Sequence, residues 1–259
     1  MWQQMSLTAC RALLGVAAAV WLALPFGARA AGASAALITP ADAAHCVAPT
    51  NLSLYRLLPP FPPVGSAQAR SELDELLRMQ AQRTPAQAAR ARADAEVNIF
   101  RFADALGSPA QFTAPHLPRT TALFDELGED ESAVVGPVKD EFARPRPFTV
   151  EPRLQPSVPR SRTGSYPSGH AAWAYTVALV LADMVPERRQ QILERADEYA
   201  HNRSVGGVHY PSDVDAGHLA ATAIAAMLFA CAPFQRDETA AAAELRGVLG
   251  LPVHPAPQP

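Results

Sequence analysis

Three short runs in the second half of the chain carry side chains able to handle an anion. The first, Lys139-Asp140-Glu141-Phe142-Ala143-Arg144-Pro145-Arg146-Pro147-Phe148, holds the only lysine among the 22 Lys and Arg residues, seven positions before an Arg-Pro. An ammonium is a compact point charge and a guanidinium a planar fork, so Lys139 and Arg146 together suit a phosphate. A solvated charged face is the plainer reading of this run by itself. In the second run, Gly164-Ser165-Tyr166-Pro167-Ser168-Gly169-His170, a Pro-rich loop turns into an apolar helix. Backbone amides at a helix start form an anion site, and Gly169 lets a ligand approach the main chain, with His170 at the rim. Ser168 acting only as a helix cap is the alternative.

The third run, Asn202-Arg203-Ser204-Val205-Gly206-Gly207-Val208-His209-Tyr210-Pro211-Ser212-Asp213, is again a loop-to-helix junction. A carboxylate four residues after an imidazole can hold one ring nitrogen while the other faces a reactant. Arg203 adds a third cation. His201, His209, Asp213 and His218 contain metal-ligand types, but they fall on different elements or helix faces and no cysteine is near, so a divalent site is disfavoured. His45, His116 and His254 have no motif context and read as surface or packing residues.

The order and spacing of these runs, K-x6-R-P, then P-S-G-H, then R-x5-H-x3-D, resemble the signature of the type 2 phosphatidic acid phosphatase superfamily, which also includes vanadium haloperoxidases. Leu57 to Gly65, Phe142 to Phe148, Gly164 to Ala171 and Gly207 to Ala216 are similar to segments of bacterial class A non-specific acid phosphatases, and the likeness spans roughly Leu54 to Phe234. The resemblance implies that His209 attacks phosphorus to give a phosphohistidine, that Asp213 orients it and that His170 protonates the leaving alcohol. Lys139, Arg146 and Arg203, with Ser168 and Gly169, would hold the phosphoryl oxygens. No metal cofactor is implied, since phosphoryl transfer asks mainly for positioning and charge stabilisation. The implied partners are small-molecule phosphate esters. One departure is Asn202, where the family has Ser before the Arg; Asn keeps hydrogen-bonding capacity. A vanadate-loaded haloperoxidase and a non-catalytic phosphate-binding helical protein are the alternatives.

The elements that must position these runs read as helices separated by Pro-rich loops, with no sustained alternation, so an all-α bundle is expected with the site at the N-termini of core helices. The Leu57–Gly65 stretch, with four prolines, should be an extended arm lying on the body. Leu73, Leu76 and Leu77 mark a helix from Ser66 to Arg83. Thr84-Pro85 caps a second one running to about Leu106 and stopped at Gly107. Six prolines from Arg144 to Pro167 argue against helix there. Helices then follow at Gly169–Val185, Pro186–Asn202 and Ser212–Ala232, with Pro233 as a stop, and a last amphipathic piece at Glu238–Leu249.

Residues 1–30 read as a secretory signal peptide. Arg11 is the positive region, Ala12 to Leu24 the apolar run and Ala28-Arg29-Ala30 the cleavage site. Residues 31–53 form an N-terminal arm, 54–250 the helical domain and 251–259 a Pro-rich tail. Cleavage would leave a periplasmic or secreted chain with two cysteines, Cys46 and Cys231, either bridged or buried as free thiols. At 49% hydrophobic and 18% charged the chain is not disordered by composition, and a formal charge of −3 offers no general attraction to nucleic acid. Stable membrane insertion after cleavage is not expected, because the apolar stretches are short for a span. Assembly into a homo-oligomer is left open.

Overall fold

The structure, a computed structural model, describes residues 46–107 and 109–253. The signal peptide, His45, His254 and most of the Pro-rich tail lie outside the described residues. Among those described every regular element is helical: α1 Leu54–Leu57, α2 Ala67–Gln82, α3 Pro85–Ala93, α4 Pro118–Phe142, α5 Pro147–Val150, α6 Gly169–Met184, α7 Arg189–Val205, α8 Pro211–Phe229 and α9 Ala232–Val248. The all-α expectation holds.

The helix starts follow local chemistry. Ser66 Oγ accepts from the Ala69 amide at 3.1 Å to open α2. At α3, Thr84 and Gln87 form a reciprocal capping box, with Pro85 in the first turn. The start of α4 is capped from far away: the Glu244 carboxylate on α9 accepts from the amides of Arg119 at 3.1 Å and Thr120 at 2.8 Å. A negative charge there also complements the helix dipole.

The elements depart from expectation in several places. The helix expected to reach Leu106 stops at Ala93, because Asp94 is captured by Arg195, Arg101 and Asn202, described below; a separate 3₁₀ turn, Ile99–Phe102, follows with Asn98 as its cap. The Pro-rich segment does hold one helical turn, α5, since a proline in a first turn lacks only an amide that would go unpaired anyway. The last helix begins at Ala232, not Glu238, so Pro233 opens it instead of ending the one before. The 25-residue α4 had no expectation attached. Its apolar positions, Leu123, Phe124, Leu127, Val134, Val135 and Val138, are interrupted by Asp130 and Glu131, and Gly128, Gly136 and Pro137 disguise the pattern further.

At the centre lies α6, whose residues from Ala171 to Met184 are almost all buried, with α7, α8 and α4 packed around it. Gly217 allows the close approach of α8, because a Cβ there would sit 2.7 Å from both Ala171 Cβ and Ser168 O. The proline-rich arm lies on this body through Phe61, whose ring packs against Tyr166 and Phe142, while the Tyr166 hydroxyl donates to Pro59 O. Cys46 and Cys231 are joined by a disulfide that fastens the residues before α1 to the start of α9. No single described helix is long and apolar enough to cross a membrane; α8 and α9 reach that length only together, and they meet at a 94° bend.

Candidate active site

Each cluster is delivered by a different helix end. Lys139 stands in the last turn of α4 and Arg203 in the last turn of α7, where the helix dipole favours cations. Ser168, Gly169 and His170 open α6, and Asp213 lies in the first turn of α8. Beside the expected N-termini of α6 and α8, two of the cations come from C-terminal turns. Arg146 arrives from the Pro-rich loop. Ser168 Oγ caps α6 by accepting from the Ala171 amide at 3.3 Å, and Ser168 N donates to Asp213 O at 2.9 Å, tying the second run to the third.

His209 is buried, with its two ring nitrogens held on opposite sides. Nδ1 lies 3.2 Å from Asp213 Oδ2, and Nε2 lies 2.8 Å from Arg146 Nη1. A guanidinium can only donate, so these partners assign the proton to Nδ1 and the lone pair to Nε2. Burial, reinforced by the charges of Arg146, Lys139 and Arg203, pushes the His209 pKa well below its ordinary value and keeps the ring neutral. The remaining donors of Arg146 go to Thr163 O, Val208 O and Thr163 Oγ1, which fix the fork.

Asp213 is held by more than the histidine. Oδ1 accepts from Arg144 Nη1 at 2.6 Å, and Oδ2 accepts from the Tyr210 amide at 2.9 Å and from Ser165 Oγ. Burial pushes its pKa up, and the Arg144 charge and these donors oppose that. Arg144 spans from Asp213 to Glu72 Oε2, at 2.9 Å, and stacks 3.8 Å over the Tyr210 ring. Glu72 Oε1 in turn accepts from the Ser212 amide at 2.8 Å.

On the other flank, His170 Nε2 donates to Ala95 O at 3.1 Å and Arg203 Nη1 reaches Asp94 O at 3.4 Å. Burial and the neighbouring cations, Arg203 foremost, push the His170 pKa down to about 3. Beneath them the fully buried Asp94 carboxylate receives Arg195 Nη2 at 2.5 Å, Arg101 Nη2 at 3.0 Å and Asn202 Nδ2 at 2.8 Å. Asn202 thus contacts a carboxylate that positions the Arg203 end of α7. The Lys139 ammonium donates to Pro167 O, and burial together with Arg146 pushes its pKa down to about 8.

Gly164 lets the Pro-rich loop pass over this helix end, since a Cβ there would come within 2.6 Å of Lys139 O. Lys139 borders two cavities. One, of about 240 Å³, is shared with Gly169 and His170, and the other, of about 580 Å³, with Arg146 and Thr163.

The structure thus brings Lys139, Arg146, Ser168, Gly169, His170, Arg203, His209 and Asp213 into one region. It does not bring in His201, which is exposed, or His218, which stacks on Tyr175 at 3.9 Å. Among the described residues no three His, Cys, Asp or Glu side chains converge as a metal-ligand set.

Arg144, Ser165, Glu72 and Asp94 also belong to the region and went unassigned from sequence. Arg144 had a signal in the Arg-Pro-Arg-Pro pairing. Asp94 had none, since the expected helix ran past it to about Leu106. Glu72 had none, lying among other acids on an amphipathic helix.

Residues 131–237 match the PAP2 superfamily. Over 193 residues the chain is 34% identical to a non-specific acid phosphatase of Providencia stuartii, covering 70% of this chain and 76% of that protein. It is 35% identical over 133 residues to an acid phosphatase of Zymomonas mobilis, covering 50% of each. The fold is similar to that of a bacterial vanadium-dependent iodoperoxidase, with a TM-score of 0.51 at 17% identity over 66% of this chain and 51% of that one. The chain belongs to the PAP2 superfamily and is a phosphatase related to the bacterial non-specific acid phosphatases.

Proposed function

We propose that the protein hydrolyses phosphate monoesters without a metal ion, through a phosphohistidine on His209. The observation that carries this reading is the Asp213–His209–Arg146 line. A carboxylate holds Nδ1–H, and a cation marks the place where a phosphoryl oxygen would sit beside the Nε2 lone pair. That lone pair forms the N–P bond as the ester P–O bond breaks, and His170, having taken the proton of the substrate monoanion on Nδ1, delivers it to the departing alcohol. Water then attacks phosphorus, giving a proton to His170, and the N–P bond breaks to release inorganic phosphate. Lys139, Arg146 and Arg203 supply the charge on the equatorial oxygens that a magnesium ion supplies elsewhere. The names of the relatives support phosphomonoester substrates. The Cys46–Cys231 bridge supports export to the periplasm or beyond, since disulfides persist in oxidising compartments.

The test combines chelation with labelling. Dialysis against EDTA should leave p-nitrophenyl phosphate turnover unchanged, and enzyme quenched rapidly in alkaline detergent should carry an acid-labile, alkali-stable phosphoryl group that is absent in His209→Ala. Activity lost to EDTA and restored by zinc or magnesium, or a label that survives in His209→Ala, would overturn the mechanism.

A further inference from the structure

The buried face of α4 runs Leu123, Leu127, Glu131, Val134, Val135, Val138, so a carboxyl occupies a position that packing alone would fill with an aliphatic side chain. Glu131 is 5% exposed; its Oε2 accepts weakly from Ser132 Oγ at 3.4 Å, and its Oε1 has no hydrogen-bond partner. Burying such a group unpaired is unfavourable, and groups of this kind in a well-packed interior call for an explanation in function. Glu131 also forms part of the wall of the 240 Å³ cavity that it shares with Lys139, His170, Val97, Val135 and Trp173.

That cavity lies on the leaving-group side of the reaction. An ester whose phosphorus faces His209, and whose bridging oxygen faces His170, must extend its alcohol past His170 into the space beside it. The Val97, Val135 and Trp173 surfaces would receive carbon, and Glu131 Oε1 is a buried acceptor in that wall with no hydrogen-bond partner. The terminal torsion of a glutamate is soft, so the carboxyl can turn its free oxygen to a ligand.

Resting on the phosphomonoesterase reading, we infer that Glu131 selects the alcohol: its carboxyl hydrogen-bonds a hydroxyl of the leaving group, so that phosphate esters of polyols and sugars are preferred over esters of plain alkanols. Burial pushes the Glu131 carboxyl up to about 8 against the pull of the Lys139 charge, so at acid pH it is neutral and can both donate and accept. A neutral acid also avoids placing an anion beside a phosphate. Glutamine, neutral with a donor and an acceptor, should therefore substitute for it, whereas methionine should not.

The experiment measures kcat/KM at pH 5.5 for glycerol 1-phosphate, propyl phosphate and p-nitrophenyl phosphate in the wild type, Glu131→Gln and Glu131→Met. The wild type and Glu131→Gln should favour the glycerol over the propyl ester by about tenfold, and Glu131→Met should bring that ratio to about one while changing the other two esters less than threefold. A ratio of rates on one preparation does not depend on how much of it is folded. Gly128→Leu fills the same cavity from another α4 position, where a Cβ would be 3.7 Å from Trp173 Nε1. It should lower turnover of the glycerol and nitrophenyl esters at least tenfold relative to methyl phosphate. An equal loss on every ester, or an unchanged glycerol-to-propyl ratio in Glu131→Met, would overturn the role of Glu131 with the hydrolase reading intact. A wild type that turns over none of the esters would overturn both.

Discussion

Arg146 Nη1 lies 2.8 Å from His209 Nε2, so the guanidinium rests on the lone pair that the proposed mechanism directs at phosphorus. In that mechanism a bound phosphoryl group has to draw that N–H to one of its oxygens before the imidazole can attack. Replacing Arg146 by Lys keeps the charge and loses the fork that also holds Thr163 and Val208, and such a swap is not conservative at a multidentate site. The expected result is a fall in kcat/KM for p-nitrophenyl phosphate of about 10²-fold, the scale of losing one preorganised donor. Steady-state kinetics with circular dichroism as a fold control checks this, and a loss under threefold would refute it.

The pH dependence should separate two classes of ester. In the free enzyme His170 is already neutral above a pKa of about 3. The proton for an alkyl leaving group must then enter with the substrate monoanion, whose second ionisation falls at about 6. With an alkyl phosphate, kcat/KM should decline as pH rises through that value. Nitrophenolate leaves without a proton, so its ester should hold its rate until Lys139 begins to lose its charge near 8. Profiles on glycerol phosphate and p-nitrophenyl phosphate that fall together would contradict this assignment.

Asp94 and Asn202 should differ sharply in consequence. Asp94→Ala leaves Arg195, 3% exposed in its side chain, without its buried carboxylate. Breaking such a pair costs about 3–5 kcal/mol, visible as an earlier urea midpoint, and frees the Arg203 end of α7. Asn202→Ser removes one of several donors to that carboxylate, and phosphatase activity should stay within threefold. A silent Asp94→Ala would show that the cluster does not hold α7.

Removal of the Cys46–Cys231 bridge should weaken the fold without touching catalysis. It closes a loop of 185 residues, and loss of a native disulfide costs about 2–5 kcal/mol. Cys46→Ser with Cys231→Ser should move the denaturant midpoint down by that amount, with kcat on p-nitrophenyl phosphate nearly unchanged below the transition. Identical midpoints for the bridged and double-serine proteins would refute the contribution.

Much of this protein was legible in the chain itself. Apolar spacing, Thr84-Pro85 and Ser168-Gly169 at helix starts and the absence of alternation predicted helices, because capping and periodicity act within one or two turns. The three runs around Lys139, His170 and His209 could be picked out because each keeps its chemistry within a dozen residues. What the chain alone left open depends on partners brought from far away. Glu244 caps α4 across 125 residues, and Glu72 meets Arg144 across 72. Asp94 ends α3 early because Arg195 and Asn202, more than a hundred residues later, claim its carboxylate. The fate of Glu131 was decided in the same way. By sequence it is one acid in an acidic stretch, and only the packing of α4 against the start of α6 takes it out of water and sets it beside Lys139 and His170. The cost of burying charge and the need to pair it are properties of the folded interior, so the residues they govern could not be read from local pattern.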